Sequence, residues 1–188
     1  RLPQTVVLGT ARSNFFSERP ALVLRAAPGY WGSLDEVLRR YHAKGQALDA
    51  RHAVWMWRRV LEVLAFVHDS GWVHHELLPE NLLVHPGDHG VHIIGWSNAA
   101  RAGADPAARG IDLAQIAWTV RALLCGGNDP TVTDPPAHVP APLAQLLRQC
   151  ADASWCAQQG ARGIDQALRL AAQQAFGPPR FLRFDPPV

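Results

Sequence analysis

The most constraining feature of the sequence is a long amphipathic pattern between Asp49 and Gly71. Apolar residues recur there three and four positions apart, which places them on one face of an α-helix: Ala53, Trp57, Val60, Leu61, Leu64 and Val67. Asp49 is a residue type that caps helix N-termini, and glycine often follows a helix C-terminus. Such a helix must bury its apolar face, and 188 residues that are 48% hydrophobic predict one domain with a substantial core.

Shorter patterns on both sides predict a mixed fold. Apolar, β-branched runs predict two strands near the N-terminus, at residues 6–9 and 21–25, followed by a connector at 26–32. Ser33 and Glu36 form the capping-box pattern that begins a helix. Residues 82–84 and 91–94, joined by HPGDHG, predict a β-hairpin.

The second half of the chain is predicted to be helical, with irregular segments between the helices. Residues 97–110 are small and aperiodic and predict an exposed loop, whereas 111–124 predict a buried helix. The proline-rich segment 126–142 must be largely irregular, although Pro142 suits the first turn of a further helix. A last helix is expected at about 164–175.

Charge and cysteine content exclude several classes of function. The net charge is +2 with both signs interspersed, so no nucleic-acid partner is expected. No apolar stretch approaches the length of a membrane span. The three cysteines form no CxxC pair, which favours a reducing compartment and predicts a cytoplasmic protein.

One motif carries a family resemblance. The sequence HHELLPEN at 74–81, followed by Gly-Trp-Ser at 95–97 and by a helix that opens at Asp112, resembles the C-terminal lobe of protein kinases. In that family the catalytic loop reads His-Arg-Asp-Leu-Lys-Pro-Glu-Asn and precedes an Asp-Phe-Gly motif. The resemblance implies a mainly α, α+β fold: residues 1–32 as remnant N-lobe strands and hinge, 33–176 as the helical C-lobe, and 177–188 as a proline-rich tail.

The residues that handle charge in kinases are altered in this motif. Phosphoryl transfer depends on placing metal and positive charge against the phosphates and on orienting the acceptor hydroxyl. Glu76 stands at the position of the catalytic aspartate, Leu78 at that of the loop lysine, and Gly95 at that of the metal-binding aspartate, while Asn81, a secondary metal ligand, is retained. The sequence also lacks a Gly-x-Gly-x-x-Gly phosphate loop, and its only lysine is Lys44, past the hinge.

The residues that give the kinase loop its shape are kept. The resemblance implies that His74 packs against Trp96 and that Asp112 accepts hydrogen bonds from the loop backbone. Leu83 matches the residue beneath the adenine, so any nucleotide contact would involve Leu83 and Asn81. These matches imply a structural role for His74, Trp96 and Asp112.

Two functions are compatible with these residues. The first is a catalytically inactive pseudokinase domain, without a cofactor, that binds another protein or another domain of a longer chain as a scaffold or regulator. The alternative is a divergent Ser/Thr kinase-like phosphotransferase that binds ATP and Mg²⁺, with Glu76 as base and Asn81 on the metal.

Three further features have competing interpretations. His85, His89 and His92 cluster around the hairpin, but histidines in a loop are more often solvated, and no metal site is expected. Trp55 and Trp57 point in different directions on one helix, so Trp55 or Trp57 either anchors a partner or is covered by a loop. The tail sequence RFLRF at 180–184 either adds a strand to a partner or packs back on the domain.

Overall fold

The computed structural model describes residues 4–13, 16–25, 28–103, 106–127 and 134–186. In that part of the chain it has five α-helices and three small antiparallel sheets, which confirms the mainly helical α+β class. The expected N-terminal segment 1–32, with its connector 26–32, lies partly outside the described residues. So do the expected loop 97–110, the proline-rich segment 126–142 and the tail 177–188.

The five helices are α1 (Leu34–Ala43), α2 (Ala50–Asp69), α3 (Pro106–Cys125), α4 (Ala141–Gln149) and α5 (Ala153–Phe176). Both predicted N-caps are confirmed. The Ser33 hydroxyl accepts a hydrogen bond from the Glu36 amide at 3.2 Å, and the Asp49 carboxylate accepts one from the Arg51 amide at 2.8 Å. Each cap satisfies an amide that has no partner within its own helix.

Helix α3 begins five residues earlier than the sequence predicted, so the expected loop 97–110 is wrong at its C-terminal end. The segment PAARG combines a proline, which suits a first helical turn, with alanines, which are the strongest helix formers. Gly110 lies where α3 and α5 approach each other: a Cβ there would lie 3.0 Å from the Cβ of Ala157 and closer still to the Ala153 carbonyl. This glycine therefore permits close helix packing rather than marking a loop.

Helix α5 also begins earlier than predicted, at Ala153 instead of residue 164. The Asp152 side chain caps it by accepting a hydrogen bond from the Ser154 amide at 2.8 Å. The helix is interrupted at Gly160, which has φ 64° and ψ 171°, a conformation that glycine adopts without steric cost. The interruption explains why the helical periodicity of the sequence is clear only after this residue.

The described strands form three separate sheets with four antiparallel pairings. A hairpin of β1 (Gln4–Ser13) and β2 (Phe16–Arg25) covers both predicted N-terminal strands and extends each of them. The remaining strands are short: β3 (Gly32–Ser33), β4 (Trp72–Val73), β5 (Leu82–His85), β6 (Gly90–Ile93) and β7 (Ala100–Arg101). The order β3-β5-β6 contains the predicted hairpin, and β4 pairs with β7.

Helices α2, α3 and α5 pack together in the core, to which α1, α4 and the β5–β6 hairpin also contribute buried residues. Helix α3 packs against both α2 and α5, and its buried residues lie on several faces, as its apolar sequence predicted. Trp57 of α2 is buried among these helices. The segment between β4 and β5 lies against α3 and carries the kinase-like motif.

The C-terminal tail packs back on the domain. Phe184 is only 2% exposed, and its ring centroid lies 6.0 Å from that of Trp55. Trp55 is partly buried beneath this tail, which supports the interpretation of a covered tryptophan.

Candidate functional site: the 74–81 loop

The backbone of the 74–81 loop is held by a buried carboxylate. Asp112, near the start of the buried part of α3, is fully buried. Its Oδ2 accepts a hydrogen bond from the His74 amide at 2.8 Å, and its Oδ1 accepts one from the His75 amide at 2.7 Å. These are the hydrogen bonds that the resemblance implies for Asp112.

Two further side chains of α3 continue this support, and sequence reasoning missed both. The Gln115 side chain accepts a hydrogen bond from the Leu77 amide and donates one to the His75 carbonyl, both at 3.0 Å. The Thr119 hydroxyl donates to the Leu77 carbonyl at 3.0 Å. Positions 112, 115 and 119 share one helix face. The signal that could have found them is this spacing of polar residues in an otherwise apolar helix.

His68 of α2 completes the surroundings of Asp112. Its Nε2 lies 3.0 Å from Oδ2 of Asp112, and its side chain is 7% exposed. A buried carboxylate is tolerated only where donors surround it, and here two amides and one imidazole do so. Sequence reasoning did not assign His68, which the helical pattern alone places on the buried side of α2.

His74 connects the loop to the segment after the hairpin. Its Nε2 lies 2.9 Å from the Ile94 carbonyl, its Nδ1 accepts a hydrogen bond from the Glu76 amide at 3.2 Å, and its ring meets that of Trp96 edge to face at 4.5 Å. Burial lowers the pKa of His74, although the Ile94 carbonyl and the nearby carboxylates of Asp112 and Glu76 oppose this shift. The neutral ring, with one nitrogen donating and one accepting, satisfies both contacts.

Glu76 and Asn81 each form a hydrogen bond in which a side-chain amide is the donor. The Glu76 carboxylate accepts a hydrogen bond from the Asn98 side chain at 3.1 Å. The Asn81 side chain donates to the main-chain carbonyl of Glu76 at 2.9 Å. Leu78 precedes the short 3₁₀ turn Pro79–Asn81 and adds an apolar, partly buried side chain. The loop thus contains the carboxylates of Glu76 and of the exposed Glu80 and the amide of Asn81, with no cation at position 78.

Gly95 closes against Asn81. It has φ 78°, in the left-handed region, and a Cβ built on it would lie 2.8 Å from Nδ2 of Asn81 and nearer to its carbonyl group. A side chain at position 95 would therefore face both an unfavourable backbone conformation and a steric overlap. In this conformation the space that a carboxylate at position 95 would need is occupied by the Asn81 amide.

Leu83 lies apart from these contacts on β5, partly buried, with Ser33 and His92 as its partners in register. A main-chain hydrogen bond connects β5 to the residues before α1: the Trp31 amide donates to the Val84 carbonyl at 3.0 Å. The structure thus brings together His74, Glu76, Asn81, Gly95, Trp96 and Asp112. It places Leu83 on the neighbouring sheet.

The hairpin histidines have separate surroundings. Nε2 of His85 lies 3.2 Å from the Pro28 carbonyl, and Tyr30 contacts the rings of His85 and His92 edge to face. His89 is stacked between Trp55 and Phe181. Within the described residues, no group of three or more His, Cys, Asp or Glu side chains is arranged to hold a metal ion.

No protein-family model matches the chain, and no curated protein matches it. Among the helices in the described part of the chain, none combines the length and apolar character needed to cross a membrane.

Proposed function

We propose that this chain is a catalytically inactive, protein-kinase-like module. It would act as a scaffold or regulator that binds another protein or another domain of a longer chain. The observation that carries the proposal is the closed contact between Gly95 and Asn81. In the family that the sequence resembles, residues at these two positions share a metal ion; here a glycine backbone lies against the amide.

The charges of the loop support the same proposal. Magnesium and a triphosphate must be balanced by carboxylates and cations placed within a few ångströms. Leu78 supplies no charge and Gly95 no ligand, while the Glu76 carboxylate accepts a hydrogen bond from Asn98. The carboxylates of Glu76 and of the exposed Glu80 and the Asn81 amide, without a cation at position 78 or a ligand at position 95, are few of the groups that nucleotide chemistry requires.

The supports of the loop point to a role for its shape. Asp112, Gln115 and Thr119 satisfy the loop backbone from within the protein, so its conformation requires no bound ligand. The free thiols of Cys125, Cys150 and Cys156 agree with the proposed cytoplasmic location, where thiols remain reduced.

Nucleotide binding provides the test. The melting temperature is measured with and without millimolar ATP and Mg²⁺, beside an active protein kinase as positive control. A ligand at about 100 times its dissociation constant stabilises a protein by about 2.7 kcal/mol, or about 5–10 °C for a chain of this size. We expect a shift below about 1 °C, because the phosphates and the metal have too few partners.

Phosphate transfer gives a second, independent readout. Purified protein is incubated with radiolabelled ATP, Mg²⁺ and a general kinase substrate, alongside Glu76→Ala. We expect the two proteins to give the same background. Transfer that is lost in Glu76→Ala, together with thermal stabilisation by ATP and Mg²⁺, would refute the proposal and support a divergent phosphotransferase instead.

A further inference from the structure

The C-terminal residues 177–186, here called the strap, lie across the N-terminal half of α2 and the β5–β6 turn. Phe181 stacks on His89 at 4.3 Å, and His89 stacks on Trp55 at 4.3 Å, so that one histidine lies between two aromatic rings. Phe184 is 2% exposed and packs against His52 with ring centroids 5.0 Å apart. Two histidines therefore form the surface on which the strap rests.

The contacts of His52 require its neutral form. The indole Nε1 of Trp55 donates a hydrogen bond to Nδ1 of His52 at 3.1 Å. An indole nitrogen can only donate, so Nδ1 of His52 must carry a lone pair. A second proton on the ring would set two N–H groups against each other beneath Phe184.

His89 adds a related constraint. Its side chain is 8% exposed, and its Nε2 is buried without a hydrogen-bond partner. A buried N–H without an acceptor is unfavourable, although a hydrogen bond to the Leu182 main chain favours the protonated ring and opposes part of this cost. The stacked rings of Trp55 and Phe181 attract a cation and offset part of this cost.

We propose that the strap is a pH-sensitive latch: neutral His52 and His89 hold it on α2, and protonation of these residues releases it and uncovers the aromatic face of Trp55. Release frees Phe181 and Phe184 at the same time.

The charges around His52 set the direction of the effect. Burial lowers the pKa of His52 below its usual 6.5. Asp49 on the same helix and Asp185 in the strap raise the pKa, whereas His89 in the turn and Arg51 lower it. Since the docked state disfavours the proton, its stability is fully present above about pH 6.5 and declines as the pH falls below that value.

The pKa of His89 shifts in the same direction as that of His52. Burial lowers its pKa, the Leu182 main chain of the strap raises it, Arg59 of α2 lowers it and Asp88 in the turn raises it. Arg59 also donates a hydrogen bond to the His89 carbonyl at 3.1 Å, which holds the turn against α2. Loss of docking at acid pH is therefore the sign that both histidines predict.

The test is hydrogen–deuterium exchange of the intact chain at about pH 7.5 and about pH 5, corrected for the intrinsic exchange rate at each pH. Full exclusion of one proton from the docked state, with a reference pKa of 6.5, would weaken docking about thirtyfold over this interval. We expect the protection of the Trp55 indole N–H, which is hydrogen-bonded to His52 beneath the strap and is followed by NMR, to fall about tenfold or more. Protection in α2 and α3 should persist, which separates strap release from global unfolding.

The double variant His52→Asn and His89→Asn tests the cause. Asparagine does not titrate, can accept the Trp55 hydrogen bond, and tolerates the left-handed backbone of His89, whose φ is 51°. We expect its Trp55 indole N–H to lose less than about twofold protection, whereas the exposed-residue control His138→Asn retains the full loss. Equal protection of the unmodified chain at both pH values, or an undiminished loss in the double variant, would overturn the proposal.

Discussion

Removal of the Asp112 carboxylate tests how the 74–81 loop is held. In Asp112→Ala the buried amide of His74 and the partly buried amide of His75 lose their acceptor, and the His68 imidazole loses its carboxylate partner. Hydrogen bonds to charged groups contribute about 1.5–3 kcal/mol each, so the two together amount to about 3–6 kcal/mol. Relief from burying a carboxylate offsets part of this amount. We therefore expect the free energy of unfolding to fall by about 3 kcal/mol, measured by urea denaturation with an unchanged m-value.

Two further variants serve as comparisons for Asp112→Ala. Asp112→Asn keeps one acceptor oxygen and should cost about 2 kcal/mol or less. Asp134→Ala removes an exposed carboxylate that pairs with Arg148, and should cost less than about 0.5 kcal/mol because exposed pairs contribute little. If Asp112→Ala cost no more than Asp134→Ala, the buried hydrogen bonds would not be what holds the loop.

Two glycine substitutions give further predictions, and each is compared with the same substitution at a glycine that has more space around it. Gly110→Ala should destabilise the protein by about 1–3 kcal/mol, because the added Cβ overlaps the α5 backbone. The control Gly163→Ala adds a Cβ that makes only ordinary contacts and should stabilise the protein by about 0.5–1 kcal/mol. If thermal denaturation showed that both variants are stabilised, the close packing of α3 against α5 would be contradicted. Gly95→Asp should lower the free energy of unfolding by about 2–4 kcal/mol, because of backbone strain and overlap with Asn81, and should gain no Mg²⁺-dependent rise in melting temperature. The control Gly103→Asp, at a position with φ 57° in open space, should lower it by about 1 kcal/mol. Equal losses in the two variants would show that Asn81 can move aside.

Periodicity and capping chemistry allowed much of the helical framework to be predicted. The N-caps Ser33 and Asp49, the buried residues of α2 and the β5–β6 hairpin follow from local patterns, because each depends on neighbours close in sequence. The starts of α3 and α5 were missed because glycines at 110 and 160 serve packing and an interruption within a helix. Glycine gives the same local signal in a loop and at a close helix contact.

The site shows the same division between local and distant information. The hydrogen bonds of Asp112 with the loop backbone and the packing of His74 against Trp96 could be expected from the resemblance, and the structure contains them. Gln115 and Thr119 were missed because their partners are main-chain groups about 40 residues away. The closeness of Gly95 to Asn81 could not be read from the sequence either, since it depends on how two loops meet.

The side chains that hold the 74–81 loop are not those at the catalytic positions of the kinase-like motif, and this has an evolutionary consequence. Its geometry is anchored by side chains on α3, whereas Glu76 and Leu78 are not among the groups that anchor it. Replacements at these two positions can therefore accumulate without a large penalty for folding. A lineage that no longer needed a reactive centre could let its chemistry drift while natural selection preserved the surrounding architecture.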